Sequence, residues 1–212
     1  MPRPGRLISL TERDIRTELG LRMTLIKPDQ TNRRALLGAF AGIATVAAAP
    51  VYSKTFGYVR GAGNIRRIHL RNTRTGEALD SIYWIEGRYI KQVMKEINWF
   101  MRDWRENSAI KMSPELIDVI ASTHARLDTS DPCYALSAYR SPRTNAMLRS
   151  RSRRVAKDSY HTKGMACDIR IKSRSVKHVA AAAQAAQIGG VGKYYRSNFV
   201  HVDSGPIRTW AS

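Results

Sequence analysis

Two stretches of this chain combine residue types that hold metal ions. In "SYHTKGMACDIR", Ser159–Arg170, His161 and Asp168 stand seven positions apart around Gly164 and Ala166. In "NFVHVDSG", Asn198–Gly205, His201 and Asp203 stand two apart. Read as strands, both segments sort by side, because successive side chains of a strand alternate faces. Met165, Cys167, Ile169 and Ile171 share one face of the first; Ala166, Asp168 and Arg170 share the other. Val200 and Val202 share one face of the second, opposite Phe199, His201 and Asp203. Each strand therefore shows ligand-type side chains opposite an apolar face. Two imidazoles and a carboxylate are a usual catalytic zinc set, with a fourth position left for water. Cys167 points away from Asp168 and is not expected in that set. A lone histidine is more often a hydrogen-bonded structural residue than a ligand, and His69, His124 and His178 read that way. His161 and His201 differ because each comes with a patterned carboxylate.

The elements that must position these residues are readable from period and turn chemistry. "IRRIHLRNTRTGEALDSIYWI" reads as two strands around an "NTRTGE" turn. Apolar residues at Ile90, Val93, Met94, Ile97, Phe100, Met101 and Trp104 form one helical stripe. "SPELIDVIASTHARL" starts a second helix, with Ser113 as N-cap and Pro114 at the first helical position. "CYALSAYR" reads as a buried strand, and "SPRTN" as a short helix capped by Ser141 and Pro142. The helix passes into an Arg/Ser-rich loop. "SVKHVAAAAQAAQ" is an Ala-rich helix capped by Ser173 or Ser175. "GGVGKYYRSNFVHVDSG" reads as a closing hairpin with "YRSN" near its turn. Helices first, then strands interleaved with short helices, predict an α+β fold with a small antiparallel sheet and helices packed on one side.

The chain has 212 residues and 43% hydrophobic composition, enough for one globular domain plus an appendage. Its net charge is +19 and its pI about 10.6, so it is expected to seek a polyanion. Cys133 and Cys167 lie outside any C-x-x-C motif, which argues against a Cys-type zinc site. They read as two buried small side chains, or as a pair in an oxidising compartment.

Arg33 and Arg34 precede a weakly hydrophobic, uncharged run from Ala35 to Ser53. A positive region, an apolar region and a small-residue zone suit an export signal, and the paired arginines resemble the twin-arginine type. An uncleaved anchor is the alternative. Met23 offers a shorter leader, "MTLIKPDQTNRR", and is expected to be the start of translation. The expected organisation is a signal segment over 1–53, a Gly-rich linker over 54–65 and a catalytic domain over 66–212. Beyond residue 53, 28 Lys/Arg and 13 Asp/Glu remain, a net charge of +15.

These motifs carry a family resemblance. "SYHTKGMACD" has the form S-x-H-x-x-G-x-A-x-D and resembles the first zinc motif of the D-alanyl-D-alanine peptidase and Hedgehog-type family, in the lysostaphin-related superfamily. "FVHVDSGPIRTW" resembles the last motif of its YcbK-like branch, murein endopeptidases of the bacterial cell envelope. "LSAYRSPRTN" resembles the element that supplies an active-site arginine, and "NTRTGEALDSIYW" and "MRDWR" resemble the same branch. The likeness spans about residues 66–210.

The resemblance implies a Hedgehog/DD-peptidase-like fold and zinc held by His161, Asp168 and His201. Arg140 is implied to hold a substrate carboxylate or a developing oxyanion, a task suited to a permanently charged guanidinium. Ser159 is implied to bond substrate or orient a ligand, with a turn cap as its plain alternative. Many relatives place a catalytic Glu three residues before the last histidine; Asn198 stands there in this chain and cannot act as a base. Asp203 is then either the general base or the residue that orients His201. The implied activity is hydrolysis of peptidoglycan peptide cross-links in the periplasm or envelope, reached by twin-arginine export. Membrane contact is then limited to the signal segment or an uncleaved anchor. The alternative is a zinc-containing, non-catalytic peptidoglycan-binding module. Nucleic acid is not an expected partner: "RSRSRRVAK" stands without a helix-turn-helix, zinc-finger or RNA-binding signature.

Overall fold

A computed structural model describes residues 64–212. The expected signal segment, and the expected linker up to residue 63, lie outside the described residues. Eight strands form one sheet: β1 (Ile65–Asn72), β2 (Ala78–Ile85), β3 (Arg88–Tyr89), β4 (Cys133–Ser137), β5 (Ala166–Arg170), β6 (Gly190–Tyr194), β7 (Phe199–Asp203) and β8 (Arg208–Ala211). Their spatial order is β3-β2-β1-β4-β5-β7-β6-β8. Four helices join them: α1 (Lys91–Phe100), α2 (Pro114–Ala125), α3 (Pro142–Arg151) and α4 (Val176–Gln184).

The mixed α/β content agrees with the α+β expectation, but the small antiparallel sheet is corrected. The sheet has eight strands, and β1 pairs with β4 and β6 with β8 in parallel. Both parallel pairs join strands distant in sequence, and a turn motif marks only antiparallel neighbours. β8 was not foreseen.

The β1–β2 hairpin turns where Asn72 Oδ1 accepts from the backbone N–H groups of Arg74 and Thr75, and Gly76 takes a positive φ of 76°. Ile68 and Leu70 of β1 share the buried face with Cys133 and Ala135 of β4, Cys167 and Ile169 of β5, and Val200 and Val202 of β7. α1, α2 and α4 pack against strands of the sheet, their stripes buried through Val93 and Ile97, Leu116, Ile117 and Ile120, and Val179 and Ala183. α1 ends at Phe100, earlier than its stripe suggests, and Trp104 is exposed on the turn beyond. Ser113, Ser141 and Ser175 cap α2, α3 and α4, each accepting a backbone N–H in the first turn. Cys133 and Cys167 are buried free thiols, and burial pushes the Cys133 thiol up to about 12. Among the described residues no helix is long and apolar enough to cross a membrane.

Candidate metal centre

β5 and β7 are antiparallel neighbours, with Asp168 directly opposite His201. Alternation turns Cys167 and Ile169, Val200 and Val202 into the core, so Asp168 and His201 meet on the other face. His161 arrives from a 3-10 turn, Tyr160–Lys163, just ahead of β5. Gly164 ends that turn with φ 68°, and a Cβ there would sit 2.9 Å from the Lys111 carbonyl oxygen. Glycine is therefore needed twice over, for the backbone conformation and for the space.

The structure brings three ligand-type atoms to one point. His161 Nε2 lies 3.2 Å from His201 Nδ1 and 3.3 Å from Asp168 Oδ1; His201 Nδ1 lies 3.0 Å from Asp168 Oδ1. Four-coordinate zinc with bonds of about 2.0–2.1 Å has ligand-to-ligand edges of about 3.3–3.4 Å. The triangle fits that ion with shifts of a few tenths of an ångström.

The far side of each imidazole is also held. His161 Nδ1 donates to the Ala138 carbonyl over 2.7 Å, and a carbonyl only accepts. In the neutral ring the lone pair is thus on Nε2, facing Asp168. His161 is 1% exposed, and burial, stronger than the opposing pull of Asp168, lowers its pKa and favours that neutral form. His201 Nε2 faces Asp203 Oδ2 at 3.0 Å, leaving Nδ1 toward the triangle. Burial alone would lower the pKa of His201, but its bonds to Asp168 and Asp203 raise it to about 9. Burial likewise opposes ionisation of Asp168, yet the two imidazoles hold it well below the usual carboxylate range.

Asp203 is fully buried and takes four further contacts: the N–H groups of Gly190 and Gly205 on Oδ1, and Arg208 Nη1 and Nη2 on Oδ1 and Oδ2. Its carboxylate is engaged from every side. That geometry suits a group that orients His201.

Arg140 is buried beside Asp168, with Nη2 3.7 Å from Oδ2, and its Nε has no hydrogen-bond partner. Its loop is bolted from three sides. Tyr139 N donates to Met101 O, Arg140 N to His161 O, and Ser141 N to Asp103 Oδ2. The irregularity in β4 between Ala135 and Ser137 turns the chain into this loop. Ser159 is the N-cap of the 3-10 turn, its Oγ accepting from His161 N at 3.3 Å, while it also borders the cavity. Asn198 sits in the β6–β7 turn with φ 51°, a conformation asparagine tolerates better than most residues.

The triangle opens onto a cavity of about 440 Å³. Tyr194, Phe199, Trp210, Arg208, Arg154 and Asp158 are among the residues that line it. None of these was singled out from the sequence. Trp210 and Arg208 arrive on β8, and "PIRTW" gives no strand period long enough to read.

A family model described as Peptidoglycan L,D-endopeptidase MepK matches residues 60–210. Peptidoglycan L,D-endopeptidase MepK of Escherichia coli (strain K12) is 40% identical over 179 residues, covering 84% of this chain and 97% of that protein. The probable peptidoglycan L,D-endopeptidase MepK of Haemophilus influenzae is 40% identical over 146 residues, covering 68% of this chain and 78% of that protein. No solved structure matches.

Proposed function

The chain belongs to the peptidoglycan L,D-endopeptidase MepK family, a YcbK-like branch of the M15 peptidases, and on that footing we propose that it is a zinc-dependent murein endopeptidase. The observation that carries this reading is the triangle of His161 Nε2, His201 Nδ1 and Asp168 Oδ1, with edges of 3.0–3.3 Å, at the wall of an open cavity. These three residues would hold zinc. When bound, zinc supplies a Lewis acid and a water acidified to a pKa of about 7.

The protein's own groups do the rest. Asp203 and the Ala138 carbonyl hold the two imidazoles in the tautomers that leave Nδ1 of His201 and Nε2 of His161 free. Arg140 stands beside Asp168 and lines the cavity, where its guanidinium would meet a substrate carboxylate or a developing oxyanion. Asp203 orients His201. Asp158 also lines the cavity, and no imidazole holds it. Ser159 positions His161 by capping its turn.

The substrate class is a peptide cross-link between an L- and a D-configured centre, following the name its relatives carry. The fold is Hedgehog/DD-peptidase-like, with the catalytic domain over 66–212. The positive chain suits a wall rich in carboxylates, and the Arg33–Arg34 segment supports export to the periplasm or envelope by the twin-arginine route. A reporter fused to residues 1–53 is expected to leave the cytoplasm, and its retention there would overturn the route.

The second reading, a zinc-containing module that binds peptidoglycan without cutting it, is favoured by Asn198 in place of glutamate. Digestion of purified cross-linked muropeptides separates the two. Zinc-loaded wild type is expected to release monomers and His201→Ala none; no cleavage by the loaded wild type would favour the binding module.

A further inference from the structure

β8 lies at the sheet edge, separated from β7 by β6, yet two of its side chains reach His201's surroundings. The reason is in β6. A Cβ on Gly190 would lie 2.4 Å from Arg208 Nη1 and 2.6 Å from Asp203 Oδ2. A Cβ on Gly192 would lie 2.5 Å from two atoms of the Trp210 ring. The two glycines leave a gap in the side-chain layer, and Arg208 and Trp210 lie across it. The Arg208 guanidinium meets Asp203 with two nitrogens, at 3.0 and 2.7 Å, and is flanked by the rings of Tyr160 and Trp210 at 5.1 and 5.0 Å. The Trp210 ring lies 5.3 Å from the His201 ring.

We propose that Arg208 is a positioning residue of the metal centre: through the gap left by Gly190 it fixes the Asp203 carboxylate, and Asp203 fixes the ring of His201 so that Nδ1 faces His161 and Asp168. A bidentate guanidinium–carboxylate pair sets the carboxylate plane as well as its place, which a lone backbone donor does not. Asp203 Oδ2 has two partners, His201 Nε2 and Arg208 Nη2. Without the arginine that oxygen keeps only His201, and the plane of Asp203 rests on the N–H groups of Gly190 and Gly205 at Oδ1. The inference rests on the metal-centre reading above and names which remote residues make it tight.

The test is zinc affinity of the folded full-length protein, measured by competition with a chromophoric chelator. Arg208→Gln is expected to weaken zinc by about 10–100-fold, the range found when partners of metal-binding side chains are removed. Arg208→Lys is expected to fall between wild type and Arg208→Gln, since it keeps the charge and loses the fork. Gly190→Ala, which leaves Arg208 in the sequence and crowds it out of place, is expected to follow Arg208→Gln. Arg208→Gln and Asp203→Asn together are expected to cost little more than Asp203→Asn alone, because both act through one contact. Arg67→Gln, at a surface ion pair elsewhere in the sheet, is expected to leave affinity unchanged. Unaltered zinc affinity in Arg208→Gln would overturn the inference, and a raised KM at unaltered affinity would reassign Arg208 to substrate contact. If wild type itself takes up no zinc, the metal-centre reading fails instead, so the two failures are distinguishable.

Discussion

Asp118 and Asp168 are both carboxylates drawn out of bulk water in the same sheet-and-helix domain, yet only one builds a site. Asp118, 1% exposed on α2, is met solely by donors: Arg66 Nη1 at 2.8 Å, Tyr83 Oη at 2.8 Å and Tyr89 Oη at 2.7 Å. Arg66 in turn lies over the Trp84 ring at 4.3 Å. The Asp118 carboxylate is answered by donors within the protein, which closes the cluster around it, while Arg66 Nε has no hydrogen-bond partner. Asp168 is met by two imidazole nitrogens that are themselves acceptors in their neutral forms. Acceptors converging on one point call for a cation, a proton or a metal ion. Burial of a carboxylate therefore says little by itself; the sign of its partners decides whether the cluster is structural or chemical.

The sharpest way to break this comparison is to remove one acceptor. His161→Ala and His201→Ala are each expected to abolish stoichiometric zinc uptake, measured on dialysed protein, together with muropeptide cleavage. Asp118→Asn is expected to keep both. Zinc retained by either histidine variant would dissolve the distinction.

Next in size is the closed cluster. Asp118→Ala leaves the Arg66 guanidinium buried without its counter-ion and is expected to cost about 3–5 kcal/mol of stability. Urea denaturation reads the loss, and zinc affinity of the folded fraction is expected to stay at the wild-type value. A loss under about 1 kcal/mol would show that the cluster is solvated in solution.

Arg140→Ala is expected to lower kcat by about 10²–10³-fold, as for loss of one preorganised donor to a developing charge. Zinc affinity is expected to change little, because Arg140 stands 3.7 Å from the Asp168 oxygen that does not face the imidazoles. An effect confined to KM would assign it to substrate carboxylate binding alone.

The smallest effect is in acid. Burial opposes ionisation of Asp103, but Thr144 and the backbone N–H groups of Ser141 and Arg105 outweigh it and lower its pKa below the ordinary 3.8. Its ionised form thus stabilises the fold above pH 3.8, and that contribution disappears as pH falls through the lower folded value. Asp118 is shifted upward by burial in spite of its three donors. Its contribution runs the other way, being largest in acid and lost as pH rises. Asp103→Asn is therefore expected to flatten the acid decline of the urea midpoint, and Asp118→Asn to steepen it. The same slope in both variants would refute the assignment. Asp103 also holds the Arg140 loop, so the site side of the molecule is expected to loosen first in acid.

The candidate site was legible where it follows local rules. The period of two in "GMACDIRI" and "FVHVD" placed Asp168 and His201 opposite the core, and register then set them face to face. The caps at Ser113, Ser141 and Ser175 and the Asn72 turn were local as well. The two roles of Asp203 could not be told apart in the sequence, because what surrounds its carboxylate comes from β6, β8 and the loop between β7 and β8. The parallel pairings of β1 with β4 and β6 with β8 were illegible for the same reason: no turn joins those strands.

By itself the sequence determined the alternation of the strands, the capped helices, the basic charge and the ligand types with their spacing, since each depends on near neighbours along the chain. Tertiary structure alone decided that the three acceptor atoms meet at 3.0–3.3 Å, that Asp203 turns to His201 and not to the cavity, and that Arg208 crosses β6 to reach it. Those are relations between strands distant in sequence. They are set by sheet order and by side chains that are missing, as at Gly190 and Gly192, as much as by those present.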